Sequence, residues 1–346
     1  MRVLVLPLFI FSMLLFSCAN NDSEGGVTEI AIDQAERVLS AETNFDLARP
    51  SSIRIADNGF YLYDFGLQKI LYFDKEGNQQ LQFGQEGQGP GEFQGLAGFW
   101  LFDDEITLFD QRGAKFLYYS RSGDFIREES IEQENFAPGL TMTSRDQFYI
   151  PLNGNDGVLA KYVDKSSGRS FTFGQPEHET EDFDAGLIRQ SIERGTLPSY
   201  MLNRVSIAAN QEQVFLFHIA TGKLQAYGHD GNLEAETVLN MPVFEKIKGE
   251  FFEHSKSALE QGFFILFSYI NSMIATENGV ALLLNAPAEF PVTVLHLDNS
   301  LQNQTVVTYS AETMERPSMF DINEEKGSIW FVNPGTAEVF QSLWSL

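Results

Sequence analysis

Gly59-Phe60-Tyr61-Leu62-Tyr63-Asp64 is followed by Lys69-Ile70-Leu71-Tyr72-Phe73-Asp74 and then by the turn Lys75-Glu76-Gly77-Asn78. Short alternating, aromatic-rich runs bounded by Gly and Asn/Asp turns read as antiparallel strands. The layout returns at 106–110 and 115–120 with the turn Arg121-Ser122-Gly123-Asp124, and at 147–153 and 158–164 with Gly168. Further copies lie at 214–218 with Gly231, at 280–285 with Asp298-Asn299-Ser300, and at 328–333.

The turns at Gly77, Gly123 and Gly168 are spaced by about 46 residues, the length of one four-stranded propeller blade. The next two intervals, to Gly231 and to Ser300, are longer, and each holds a stretch unlike a strand. Residues 175–201 are polar and acidic, and residues 243–262 have the periodicity of an amphipathic helix. Setting these insertions aside restores the beat and predicts an all-β, six-bladed β-propeller of four-stranded antiparallel blades. One helical insertion is expected between blades four and five. The sixth blade is short of an outermost strand at the C-terminus, and residues 27–40 are expected to supply it. Such closure removes the unpaired edges of an open sheet.

Composition narrows the function. The 346 residues carry 48 Asp and Glu against 23 Lys and Arg, for a net charge of −25. A surface so acidic repels phosphate backbones, which excludes nucleic acid as a partner. Aromatics make up 13%, with 31 Phe, enough for a sizeable core. A single cysteine excludes a disulfide framework and any Cys-rich zinc site.

That cysteine ends a short apolar run. Arg2 precedes the apolar residues 3–16 and then Ser17-Cys18, the arrangement of a signal peptide rather than of a spanning helix. Leu15-Phe16-Ser17-Cys18 resembles a bacterial lipobox, which implies lipidation of Cys18. Residues 1–17 are then the signal peptide, 18–26 a polar tether, and 27–346 the propeller. No aspartate follows Cys18 directly, and Asp22 and Glu24 resemble the acidic tether of some outer-membrane lipoproteins. The expected location is the envelope of a Gram-negative bacterium, at the outer membrane, periplasmic or surface-facing. A lipid anchor is the only membrane attachment expected.

A second resemblance follows from Gly84-Gln85-Glu86-Gly87-Gln88-Gly89-Pro90-Gly91-Glu92-Phe93. This run resembles the G-x-G-P-G-E-F signature of six-bladed propeller lipoproteins related to NHL and TolB-like propellers. Residues 50–93 resemble an NHL-type repeat throughout, and the layout extends over roughly residues 45–346. The resemblance implies the fold and an envelope location, without an agreed activity. The same run is no dinucleotide fingerprint, because Glu92 stands where the third glycine belongs.

Candidate functional residues fall on one predicted face. Asp64, Asp110, Asn153, His218, Asn285 and Asn333 end the second strand of each blade. Asp and Asn there start turns by bonding the backbone two residues on. His218 breaks the pattern with a group able to titrate or bind metal. Arg49 and Arg316 precede matching Pro-Ser pairs before the innermost strands of blades one and six, and Arg204 lies at nearly the same place in blade four. Guanidinium groups near one opening suit bidentate capture of carboxylates or sulfates. Arg49, Arg204, Arg316, His218, Asp64 and Asp110 are therefore the candidate ligand-binding residues.

The sequence supports a non-catalytic module binding an envelope protein or a small anionic or carbohydrate ligand, with no cofactor. The alternative is a metal-dependent hydrolase or lyase. Lactonase-like and NHL lyase-like propellers hold calcium or zinc in the central channel. Here the expected inner strands at 52–55, 140–143, 205–208 and 271–274 are short of metal ligands, Asp103 and Asp321 being exceptions. His178 and the acids at 179–184 match no EF-hand or zinc spacing. A third reading is a structural component of an envelope complex.

Overall fold

A computed structural model of the chain describes residues 26–40, 47–131, 139–180, 183–310, 314, 316–344 and 346. The expected signal peptide, Cys18 and the expected tether up to residue 25 lie outside the described residues. Six blades follow one another in order, five of them four-stranded antiparallel sheets and one, blade five, a five-stranded sheet. Blade one comprises Pro50–Ala56, Gly59–Asp64, Lys69–Asp74 and Gln79–Phe83. Blade two runs from Leu96–Phe102 to Phe125–Ser130, and blade three from Thr141–Met142 to Arg169–Phe173. Blade four spans Val205–Ala209 to Leu233–Val238, and blade five Ile270–Thr276 to Gln304–Tyr309. Met319–Asn323, Ser328–Asn333 and Glu338–Leu343 form three strands of blade six.

Closure is made by the N-terminal segment, which divides in two. Ala35–Leu39 pairs antiparallel with Glu338–Leu343 and completes blade six. Val27–Ile32 instead pairs in parallel with Gln304–Tyr309, adding a fifth strand to blade five. The N-terminal stretch thus fastens two neighbouring blades, where a single closing strand was expected.

Packing explains why the second strands read as apolar runs. Gly59–Asp64, Glu105–Asp110, Gly279–Leu284 and Ser328–Asn333 are buried at every position, because each is sandwiched between neighbouring blades. The outermost strand Phe125–Ser130 is exposed throughout. Each interface between consecutive blades holds its own apolar cluster. The ring is sealed where Phe60 of blade one meets Trp330 of blade six, with ring centroids 4.6 Å apart.

Among the described residues two α-helices interrupt the blades, where one was expected. Helix α1, Ala185–Arg194, lies between blades three and four, inside the insertion expected only to be polar. Its N-cap is Asp184, whose side chain accepts from the N–H groups of Gly186 and Leu187, and Gly195 closes it in the left-handed region. Helix α2, Pro242–Glu260, lies between blades four and five, with Pro242 in its first turn. It buries Phe244, Ile247, Phe251 and Leu259, and the Arg189 guanidinium donates to the Leu259 carbonyl at 3.3 Å.

Candidate functional site

The loops after each second strand and the connections between blades share one face, and the predicted site residues behave there in two ways. The acids turn inward. Asp64 is fully buried and its carboxylate accepts from the backbone N–H groups of Ala48 (2.8 Å), Arg49 (2.9 Å), Gly66 (2.8 Å) and Leu67 (3.0 Å). Asp110, equally buried, accepts from Gln94 at 3.0 Å and Gly95 at 2.9 Å. Each carboxylate latches the connection that leads into its own blade. Asn153 accepts from the Val205 N–H at 2.9 Å, and Asn333 from the Gly335 N–H at 2.8 Å. A ligand-contacting role for Asp64 and Asp110 does not fit this burial and bonding.

His218 turns inward as well. It is 1% exposed, and its Nε2 lies 3.0 Å from Gln225 Oε1. Tyr227 donates to the same oxygen at 3.1 Å, while Gln225 donates to Glu236 at 3.2 Å. Lys223 joins Glu236 at 2.8 Å to Glu177 at 2.6 Å, so the network ties the first insertion to blade four. Burial pulls the His218 imidazole below its ordinary pKa, which keeps it neutral inside the blade. The sequence signal at His218 marks this internal network, and the placement does not suit a surface ligand contact.

The arginines separate. Arg49 is exposed, with its guanidinium 5.5 Å from the centre of the Phe65 ring. Arg204 is half-buried, and its Nε is a buried donor without a hydrogen-bond partner among the described residues. Arg316 faces α2, its guanidinium 3.6 Å from the Glu250 carboxylate. Of the three, Arg316 lines a cavity.

Two cavities meet at that residue. One, of about 360 Å³, lies between blades five and six, with Leu284, Phe290, Val292 and Met314 in its wall. Asn271, Asn285, Asn333 and Arg316 supply its polar groups. The other, of about 130 Å³, lies beneath α2, bounded by Ile247, Phe251, Ile265 and Leu266 and by Glu250, His254 and Ser268. Asn285 and Arg316 line both. Asn271 donates to the Pro317 carbonyl at 3.2 Å and Asn285 to the Ser268 carbonyl at 3.3 Å. These bonds engage the two amide nitrogens, and each side chain also carries a carbonyl oxygen able to accept. Apolar side chains beside a few converging polar groups are the usual chemistry of a small-molecule site; here polar atoms supply about half of the larger cavity's wall and more than half of the smaller one's. The sequence reading identified Arg316 and noted Asn285. It missed His254, Phe290 and Met314, which come together only through folding.

Asp321, on the inner strand of blade six, accepts from the Ile55 N–H at 2.8 Å. Burial raises its carboxyl above the usual range, against the opposing pull of Arg54. Among the described residues no group of three or more His, Cys, Asp or Glu side chains is placed to hold a metal ion.

A family model described as a 6-bladed beta-propeller matches residues 36–165. Among solved structures, the chain is similar to a protein described as exported, from Bacteroides fragilis, at 13% identity and a TM-score of 0.56, covering 92% of this chain and 100% of that one. It is also similar to a member of the duf4221 family from Bacteroides vulgatus, at 8% identity and a TM-score of 0.51, covering 90% and 96% of the two chains. A virginiamycin B lyase from Staphylococcus aureus is similar at 10% identity and a TM-score of 0.49, covering 89% and 98%. No curated protein matches the chain significantly. At these identities likeness shows the fold alone. The chain is a six-bladed β-propeller.

Proposed function

We propose that the protein is a lipid-anchored envelope propeller that binds a small ligand, without catalysis, in the paired cavities around Arg316 and Asn285. The observation that carries this reading is the meeting of the two cavities at one guanidinium and one amide, beside the inserted helix α2. Arg316 suits an anionic group on the ligand, and the carbonyl oxygens of Asn271 and Asn285 suit its hydroxyl or amide donors. The lipobox-like run ending at Cys18 supports the anchor, and the exported description of the Bacteroides fragilis protein agrees with an envelope location.

The reading is tested by thermal denaturation with succinate, glucuronate and an N-acetylated amino acid. At least one raises Tm by several degrees in the wild type, and none does so in Arg316→Ala or Asn285→Ala. A flat response of the wild type to the whole panel contradicts it. Palmitate labelling that disappears in Cys18→Ser checks the anchor.

A further inference from the structure

An exposed apolar lip continues the smaller cavity outward. Ile265 and Leu266 line that cavity, yet are 38% and 52% exposed. Phe263 and Phe264 precede them, and the Phe264 ring meets Phe183 edge-on with centroids 5.2 Å apart. Leu187 stands one turn further along, in α1. Of the fifteen large apolar side chains exposed among the described residues, these six belong to the two inserted segments. Such a concentration marks a contact surface.

We infer that the ligand of this site is an amphiphilic anion: a carboxylate held at Arg316, with an apolar chain running through the smaller cavity and out over Leu266 toward Phe264 and Phe183. The inference rests on the cavity reading above and adds the ligand's class. The lip borders a recess that Arg316 and Glu250 also line, so an apolar edge and a solvated cation lie side by side, an arrangement that a flat membrane or protein surface does not require. A net charge of −25 also opposes docking onto an anionic lipid surface. Glu250 competes for Arg316 at 3.6 Å, so a bound carboxylate must displace it from the guanidinium.

The test is calorimetric titration of the full chain with butyrate, decanoate and decyltrimethylammonium, each below its micelle concentration. Each methylene leaving water is worth roughly fourfold in affinity, so decanoate binds at least about a hundredfold tighter than butyrate. Decyltrimethylammonium binds at least about tenfold more weakly than decanoate. Arg316→Ala loses about tenfold for decanoate, and Glu250→Gln tightens it. Leu266→Asn, at an exposed position that the fold does not depend on, weakens decanoate and leaves butyrate unchanged. Equal binding of butyrate and decanoate overturns the amphiphile and leaves the cavity reading standing. Equal binding of decanoate and the cation overturns the anionic head, and phosphatidylcholine vesicles capturing the chain through Leu266 then make the lip a lipid-docking surface. No binding by either carboxylate overturns this ligand class, while the succinate, glucuronate and acetylated amino acid panel judges the cavity separately.

Discussion

The Arg316 guanidinium stands 3.6 Å from the Glu250 carboxylate, joining the approach to blade six with helix α2. Both groups are substantially solvated, with side-chain exposures of 53% and 33%. Such a pair adds less than about 1 kcal/mol to stability, because water screens it and ordering two side chains costs entropy. Arg316→Ala is therefore expected to keep its midpoint in urea close to that of the wild type. A large drop in the midpoint would mean that Arg316 is a structural fastener.

Ring closure depends on apolar contact as much as on strand pairing. Trp330 is 3% exposed, packed against Phe60, and shares its cluster with Leu39 and Leu62. Trp330→Ala leaves a void between blades six and one and is expected to cost about 3–5 kcal/mol, measured by equilibrium denaturation. A cost below about 1 kcal/mol would show that this junction is not what holds the ring shut.

Two glycines are expected to respond in opposite directions. A Cβ at Gly59 would lie 1.9 Å from the Phe73 carbonyl oxygen, so Gly59→Ala forces neighbouring strands apart and destabilises by about 1–3 kcal/mol or more. Gly249, inside α2, has nothing within 4 Å of the same position, and Gly249→Ala stabilises by about 0.5–1 kcal/mol. Denaturation midpoints of the two variants check the pair, and a neutral Gly59→Ala would contradict the register.

His296 supplies a pH dependence. It is 8% exposed, its Nε2 lies 3.0 Å from Thr276 Oγ1, and burial pushes its pKa down to about 4 despite the opposing pull of Asp298. The folded state disfavours the imidazolium, so stability is full above the unfolded value near 6.5 and is lost as pH falls toward 4. The loss from this group amounts to roughly 3 kcal/mol. The stability–pH curve of His296→Gln should be flatter than that of the wild type over that interval. Identical slopes would sink the assignment.

The blade count was legible because the most buried strands read as short apolar runs, and the first three blades close on glycine turns at a nearly constant interval. Helix α2 was legible for a similar reason, since five buried side chains repeat along one face of it. Helix α1 was not, because it buries only Ile188 and Ile192 among polar neighbours. The division of residues 27–40 into two strands was hidden by apolar alternation on both sides of Asp33-Gln34. At Asp64 the turn-forming chemistry was read from the residue type. Its bonds to Ala48 and Arg49, 16 and 15 residues earlier, had no local sign. The cavities lie further beyond sequence reading, since Asn271, Phe290, Met314 and Arg316 meet only when blades five and six close against each other.

The most direct test of the account is a crystal structure of the protein soaked with whichever carboxylate stabilises it most. The account predicts ligand density between Arg316 and Asn285, with the carboxylate on the guanidinium and Glu250 displaced from it. Density in the central channel, or over Arg49 or Arg204 with the Arg316 cavities empty, would contradict it.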